Sequence, residues 1–240
     1  SRNNLAGAYR KAGRITEAIA LLEQVITDST RILGQDHPHT LASRNNLAGA
    51  YRKAGRITEA IALLEQVITD STRILGQDHP HTLASRNNLA GAYRKAGRIT
   101  EAIALLEQVI TDSTRILGQN HPHTLASRNN LAGAYRKAGR ITEAIALLEQ
   151  VITDSTRILG QNHPHTLASR NNLAGAYRET GRITEAIALY EKVLTDRTRI
   201  LGKDHPATLE TLNALAGAYK DAGFLNKATA LLEGETPPEG

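Results

Sequence analysis

Three residues at helical spacing recur along the sequence, and together they have the chemistry to bind a polypeptide. Asn45, Gly49 and Arg52 are four and three positions apart, so they would share one face of a helix. An asparagine amide donates to and accepts from an extended backbone, glycine leaves the surface open, and a guanidinium attracts carboxylates. The equivalent residues in later segments are Asn87, Gly91 and Arg94; Asn129, Gly133 and Arg136; and Asn171, Gly175 and Arg178.

The same residues also have a structural interpretation, and the sequence leaves both open. Asparagine and glycine are poor mid-helix residues, and glycine costs up to about 1 kcal/mol relative to alanine. Something must offset this cost. Asparagine ladders could bond between neighbouring helices while glycine permits close packing, and the adjacent Asn46 is expected to have this role. The arginine series could equally be a solvated helix face.

No residue pattern predicts catalysis, a metal or a cofactor. Ser29, Ser43 and His37 each recur in several repeats, whereas an enzyme normally has one unique, asymmetric site. The sequence has no Gly-rich phosphate loop and no H-E-x-x-H motif. The triplet His37–His39 itself contains no carboxylate or cysteine, and a turn at a helix start explains it. We therefore expect a non-enzymatic protein that binds no metal and needs no cofactor.

Charge and hydropathy narrow the range of partners. The 240 residues carry a formal net charge of +5, but acidic residues lie beside the basic ones throughout. Nucleic acid is therefore not the expected partner, and a weak polyanion binder remains only an alternative. The sequence has no apolar run of membrane-spanning length and no secretory signal, so we expect a cytoplasmic protein without a membrane partner.

The chain is built from one 42-residue string. Ser1–Ala42 and Ser43–Ala84 are identical, and the next two copies differ from them only at Asn120 and Asn162. Repeat periods of about 20–50 residues indicate a solenoid, in which each unit packs mainly against its neighbours. We expect one array over 1–233, with units 1–42, 43–84, 85–126, 127–168 and 169–210, a partial C-terminal capping unit 211–233 and a disordered tail 234–240.

Each repeat is expected to hold two helices. The first should begin at Pro38, with Asp36 or His37 as its N-cap, and should end at a C-terminal glycine. The second should have Thr58 as its N-cap and should end at Gly76. Two such helices form an antiparallel hairpin, and stacked hairpins form an α-solenoid. The predicted fold class is therefore all-α.

The apolar pattern indicates which faces are buried. The second helix carries two adjacent apolar stripes, as expected for a helix that packs against its own partner and against the next repeat. Ala48 and Ala60 should lie at tight helix crossings. Asp70 and Arg73 should pair on the solvent face. The two stripes contain Ala60, Leu63, Val67 and Ile74, and Ile61, Leu64, Ile68 and Leu75.

The unit resembles the tetratricopeptide repeat, whose pattern is W-x2-L-G-x2-Y, then A-x3-F, then P. With its NNLA, AYR and LG-x-DHP segments, it is similar to the 42-residue repeats of kinesin light chains and of bacterial high-identity repeat proteins. Trp and Gly of the pattern are replaced by Arg44 and Ala48. The matching positions are Arg44, Leu47, Ala48, Tyr51, Ala60, Leu64 and Pro80.

This resemblance implies a right-handed superhelix in which the first helices line a concave groove for a protein or peptide. Asn45, Gly49, Arg52 and Lys53, with their equivalents, would face that groove, and the arginines favour an acidic ligand. The chain would be part of a larger, bacterial protein. The alternative is a purely structural or designed array without a specific ligand.

The two ends of the sequence suggest different behaviour. Ser1 falls inside a first helix, which should leave a stacking face uncovered. Identical units can pair between molecules as well as within one, so we expect head-to-tail self-association through the truncated first repeat. At the other end the sequence drifts to Ala214, Asp221 and Thr229, which is typical of a terminal unit that caps a solenoid.

Overall fold

The computed structural model describes residues 2–233, and this part of the chain contains α-helices and no strands. The helices are α1 (Arg2–Lys11), α2 (Ile15–Leu33), α3 (Pro38–Lys53), α4 (Ile57–Leu75), α5 (Pro80–Lys95), α6 (Ile99–Leu117), α7 (Pro122–Lys137), α8 (Ile141–Leu159), α9 (Pro164–Glu179), α10 (Ile183–Leu201), α11 (Pro206–Asp221) and α12 (Leu225–Glu233).

The first helix of each repeat begins where the sequence predicts. Pro38 is the first residue of α3, and its missing N–H costs nothing there. His37 is the N-cap: its Nδ1 accepts a hydrogen bond from the backbone N–H of His39 at 3.2 Å. Asp36, the other candidate, instead accepts a hydrogen bond from Arg73 in the next repeat at 2.9 Å. Histidine thus replaces the usual short polar cap.

The prediction of Thr58 as the second N-cap was wrong. The helix starts at Ile57, and its N-cap, Arg56, lies two residues before Thr58 and makes no side-chain capping bond. Gly55, at φ +80°, makes a turn in which the Arg56 N–H donates to the Tyr51 carbonyl at 2.9 Å. The Arg56 guanidinium lies 4.0 Å from the Tyr51 ring centroid and donates to Glu59 at 2.7 Å. This tight turn, rather than a hydroxyl cap, fixes the helix start.

Arg44, at the position where the family pattern has tryptophan, joins the two helices of its repeat. Its Nη1 donates to Asp70 Oδ2 at 2.7 Å. Asp70 also lies 3.7 Å from Arg73, which confirms the predicted pair within the second helix. An ion pair therefore occupies the place where an aromatic side chain would otherwise pack.

The chain divides into two compact units, Ser1–Ala134 and Tyr135–Gly240. In the first unit, α2 packs against α1 and α3, and α4 packs against α3 and α5. Neighbouring first helices also touch, in the pairs α1–α3 and α3–α5. The second unit has the same arrangement: α10 packs against α9 and α11, and α9 contacts α11. Tandem helix pairs of this kind are an α-solenoid architecture, as the sequence predicts.

Small side chains lie at the closest helix crossings. Ala48 and Ala60 are fully buried, as expected, and Leu64 and Val67 are buried beside them. Leu63, which belongs to the same predicted stripe as Ala60 and Val67, is only half-buried, although it still packs against the core. Alanine at a crossing lets two backbones approach, so larger residues at these positions would force the helices apart.

None of the helices within residues 2–233 is long and apolar enough to cross a membrane. The predicted disordered tail, 234–240, lies outside the described residues. The organisation of 1–233 as a single array stays a prediction.

Candidate functional site

Each arginine of the predicted groove reaches into the next repeat. Its guanidinium lies beside the glycine of the following first helix, where a β-carbon would be in ordinary contact at Gly91 and would be crowded at the other four glycines. A β-carbon at Gly49, Gly91, Gly133, Gly175 and Gly217 would lie 2.6, 3.9, 3.3, 2.7 and 2.7 Å from the nearest guanidinium atom of Arg10, Arg52, Arg94, Arg136 and Arg178, respectively. The sequence predicted that glycine leaves the floor of the groove open. Instead, the preceding repeat's guanidinium occupies that floor.

Arg52 lies in a positively charged environment. Burial lowers the pKa of Arg52, and repulsion from Arg94 and Arg10 lowers it further. Among the described residues, no carboxylate lies within ion-pair distance of Arg10 or Arg52. The position after each of these arginines is also basic, as at Lys53. This stretch of the first-helix face therefore concentrates positive charge.

The last two arginines of the series are neutralised. Arg136 Nη2 donates to Glu179 Oε1 at 2.6 Å, and Arg136 Nη1 donates to the Asn172 carbonyl at 3.2 Å. Arg178 Nε donates to Asp221 Oδ2 at 2.5 Å. The hydrogen bond to Asp221 raises the pKa of Arg178, and the same bond lowers the pKa of Asp221. These arginines are held by intramolecular ion pairs.

One sequence position separates the two environments. The acids that pair with Arg136 and Arg178 come from the next repeat, at the position just after Arg178 and just after its equivalent, Lys220. Earlier copies have lysine there. The residues at this position along the chain are Lys11, Lys53, Lys95, Lys137, Glu179 and Asp221.

The asparagines form hydrogen bonds between repeats. Asn88 Nδ2 donates to Asn45 Oδ1 at 3.2 Å, and Asn130 does the same to Asn87. The structural role expected for the Asn46-type residues is therefore confirmed at Asn88 and Asn130. The half-buried Asn45-type residues accept these bonds, while their contact with a ligand stays a prediction. The remaining members of that set are Asn129 and Asn171.

Two cavities lie on the first-helix side of the first unit. One of about 370 Å³ is lined by Asn3, Gly7, Arg10 and Lys11, so its wall is basic. The other has a volume of about 330 Å³ and lies between the second and third helix pairs. We call it the junction cavity. Asn45 and Ser71 line it from one repeat, with four residues from the start of the next helix pair: Pro80, His81, Ala84 and Ser85.

The histidine pairs lie against each other at the helix starts. The rings of His37 and His39 stack with 5.4 Å between their centroids. Within residues 2–233, no group of three histidine, cysteine or acidic side chains gathers where it could hold a metal ion. His37 and His79 each cap the start of a first helix through Nδ1.

The structure adds functional candidates that sequence reasoning missed. Arg10 begins the arginine series, and Glu179 and Asp221 end it. Arg197 is buried, 5% exposed, at a position where the four preceding copies have serine. Each of the last three residues departs from the repeated string, and that departure was the available signal.

The tetratricopeptide repeat profile matches the chain over residues 1–70, 46–112, 82–154, 123–197 and 165–233. No curated protein sequence matches it.

Solved structures share the fold. Nearly identical repeats from a kinesin light chain-like protein of Podosopora anserina are 41% identical, cover 83% of this chain and 94% of that one, and give a TM-score of 0.63. NprR bound to its cognate peptide NprX is 14% identical, with a TM-score of 0.73 over 97% of this chain and 64% of NprR. Bacillus thuringiensis PlcR, in complex with the peptide PapR7 and DNA, is 18% identical to this chain. The match covers 94% of this chain and 73% of PlcR, with a TM-score of 0.69.

Proposed function

The chain belongs to the tetratricopeptide repeat family, and we propose that it binds an acidic peptide segment on the first-helix face of its N-terminal repeats. The tetratricopeptide repeat fold is in general a non-catalytic protein-interaction scaffold. The chain would act by binding a partner protein, without catalysis.

The observation that carries this proposal is the environment of Arg52. Its half-buried guanidinium is placed over Gly91 and lies near Arg10 and Arg94, whose charges repel it. A carboxylate that reached this guanidinium would relieve the repulsion and could accept two parallel hydrogen bonds. Partial burial strengthens such a bond, because water screens it less. An acidic side chain is therefore the ligand group that this surface favours.

Two further features support the proposal. The cavity of about 370 Å³ beside Arg10 and Lys11 gives the same basic face a concave surface. NprR and PlcR, which share the fold, were solved with peptides bound. Their identity to this chain is low, so they support a peptide as the class of ligand and say nothing of its sequence. The amides of Asn45 and Asn87 would hold the peptide backbone.

The test is fluorescence anisotropy with a labelled peptide of alternating glutamate and glycine. The control peptide replaces glutamate with lysine. We expect saturable binding of the acidic peptide alone. Arg52→Gln should weaken it roughly tenfold, because one charged hydrogen bond contributes about 1.5–3 kcal/mol. The matched control is Arg178→Gln, which removes an arginine that Asp221 already neutralises and should leave the affinity unchanged.

Two results would contradict the proposal. Absence of saturable binding, or equal losses in both variants, would favour an array with a purely structural role. Equal binding of heparin and of the acidic peptide, with a steep salt dependence, would indicate a polyanion binder.

Self-association of this chain is a separate expectation. In the first helix pair, Leu5 is 46% exposed and Ile32 is 67% exposed, whereas Leu47, the equivalent of Leu5, is buried. A second copy could cover these side chains through its own repeat surface. Sedimentation velocity over a range of concentrations should show dimers or longer assemblies, and Leu5→Glu should shift the distribution towards monomer. A monomer at every concentration would exclude this contact.

A further inference from the structure

The junction cavity between the second and third repeats is a site for a guanidinium group, and we propose that it takes an arginine side chain from a partner protein. The cavity has a volume of about 330 Å³, within the range of about 300–1,000 Å³ that ligand pockets occupy. Its wall is partly polar and includes Asn45, Ser71 and Ser85. These residues are distinct from the arginines of the proposed acidic-peptide site, so the two proposals can fail separately.

The last repeat junction shows what such a cavity holds. There Arg197 replaces the serine, and its guanidinium is buried. Arg197 Nη1 donates to the Ala207 carbonyl and to Thr211 Oγ1, both at 2.7 Å. Thr211 Oγ1 in turn donates to Asn171 Oδ1 at 3.0 Å. Glu210, on the exposed side, lies 3.9 Å from the same nitrogen. The chain therefore binds a guanidinium of its own at this junction.

The junction cavity is built from the equivalents of these residues, three repeats earlier. Asn45 and Ser85 correspond to Asn171 and Thr211, and His81 has the backbone position of Ala207. Ser71 stands where Arg197 would be, and its side chain is too short to reach across. The acceptors of a guanidinium site are thus retained, while the resident arginine is absent.

The missing carboxylate decides which cation fits best. Ala84 stands at the position of Glu210, so the junction cavity offers neutral oxygen acceptors and no ion pair. An ammonium is a strongly hydrated point charge, whereas a guanidinium is weakly hydrated and presents a planar fork of donors. Neutral, fixed acceptors therefore favour arginine over lysine. The cavity opens beside the exposed His81, so a side chain from outside can enter.

The experiment uses saturation-transfer difference NMR with N-acetylarginine amide as the probe. This method observes the ligand, so the identical repeats do not complicate the spectrum. The control ligands are N-acetylcitrulline amide, which has the same shape without charge, and N-acetyllysine amide. We expect saturable transfer to the arginine probe, weaker transfer to the lysine compound and the weakest to the citrulline compound.

Variants place the binding in the cavity. Replacing the serine with arginine at all four earlier junctions should reduce the arginine signal to the citrulline level. This variant is Ser29→Arg, Ser71→Arg, Ser113→Arg and Ser155→Arg combined. Arg197→Ser, which opens the last junction, should increase the signal. Circular dichroism checks that each variant keeps its helices.

Ala84→Glu provides a second test in case the variant with four added arginines does not fold. It supplies the carboxylate that Glu210 provides at the last junction. The dissociation constant of the arginine probe should then fall by about fivefold, the upper end for a solvent-exposed ion pair. Equal transfer to all three compounds, or an unchanged dissociation constant in Ala84→Glu, would overturn the proposal.

Discussion

The two units of the chain use the same arginine in opposite ways. In the first unit, Arg52 lies over a glycine near two other arginines, and burial and repulsion lower its pKa. In the second unit, Arg136 lies over the equivalent glycine but is bound by Glu179 at 2.6 Å. The backbone, the glycine and the arginine are alike. The difference is one residue in the next repeat, lysine in one case and glutamate in the other.

This comparison shows that identical repeats need not be equivalent in function. Copying a unit reproduces its helices and its core, because those contacts involve residues that every copy contains. A single substitution on the first-helix face changes the charge available to a ligand without disturbing that core. The binding surface is therefore set by the divergent residues as much as by the repeated ones.

The largest expected effect comes from exchanging the two environments. Lys95→Glu should create in the first unit the pair that Glu179 makes with Arg136, and so neutralise Arg52. Binding of the acidic peptide should weaken by about 2–3 kcal/mol, because one charged hydrogen bond is lost and a repulsive carboxylate is added. Anisotropy titration measures the change.

The reverse exchange is the control. Glu179→Lys should free Arg136, strengthen acidic-peptide binding and lower stability by up to about 1 kcal/mol, as expected for the loss of a partly exposed pair. If both exchanges changed the affinity in the same direction, the pairing would not determine binding.

A second contrast, between the last repeat and the one before it, appears at alkaline pH. Tyr219 is buried and donates to Glu191 at 2.6 Å, and burial followed by this bond raises the pKa of Tyr219 to about 12. Tyr177 is half-buried, and its pKa is raised by burial and by Glu149, but the charge of Arg182 opposes the shift.

The folded chain therefore holds the Tyr219 proton more tightly than the unfolded chain does. Its stabilising contribution is complete below the unfolded pKa of about 10 and is lost as the pH rises through the folded value. Tyrosinate absorbance during alkaline titration should show one tyrosine ionising last, and Tyr219→Phe should remove that step. If Tyr219→Phe removed an earlier ionisation step and left the last one in place, Tyr219 would not be the tyrosine with the highest pKa.

Alanine substitutions at two glycines should separate an open helix face from an occupied one. A β-carbon added at Gly7 would have no neighbouring atom within 4 Å, so Gly7→Ala should stabilise the fold by up to about 1 kcal/mol. At Gly175, the β-carbon would lie 2.7 Å from Arg136 Nη2, and the guanidinium would have to move away from Glu179. Gly175→Ala should therefore give no gain or a loss. Urea unfolding of both variants measures the difference, and equal gains would show that the guanidinium moves without cost.

The smallest effect concerns the ion pairs between a second helix and the turn that precedes its repeat. In the first unit, Arg115 donates to Asp78 at 2.8 Å. In the second unit, Asn162 replaces that aspartate, its Oδ1 is buried without a hydrogen-bond partner, and Arg199 pairs with Asp196 at 3.4 Å. Asn162→Asp should stabilise by up to about 1 kcal/mol, and Asp78→Asn should destabilise by a similar amount. Both changes should diminish at high salt, and an effect that is independent of salt would argue against an ion pair.

Local signals explain which helix boundaries could be predicted. Pro38 and Gly76 determine a start and an end through their own backbone preferences, so the sequence alone was enough. The start of the second helix was misplaced because Thr58 looks like a cap. The actual start depends on the stacking of Arg56 on Tyr51, a contact across the turn that no single-residue preference reveals.

The candidate site could be predicted only in part, because it also depends on contacts between residues that are distant in the sequence. The spacing of Asn45, Gly49 and Arg52 correctly placed them on one helix, but the direction of the arginine was not visible. Its guanidinium points to the next repeat, where it meets a glycine and, in the second unit, an acid. The pairing of Arg136 with Glu179 could not be predicted from within one repeat, because the two residues belong to different repeats.

The helices, the repeat period and the buried alanines follow from patterns within one 42-residue unit, so the sequence is enough to predict them. Which arginines are neutralised, and which junction contains a guanidinium of its own, depends on how one unit packs against the next. Arg136 and Glu179 are 43 positions apart in the chain, and only the packing of one first helix beside the next brings their charges within hydrogen-bond distance.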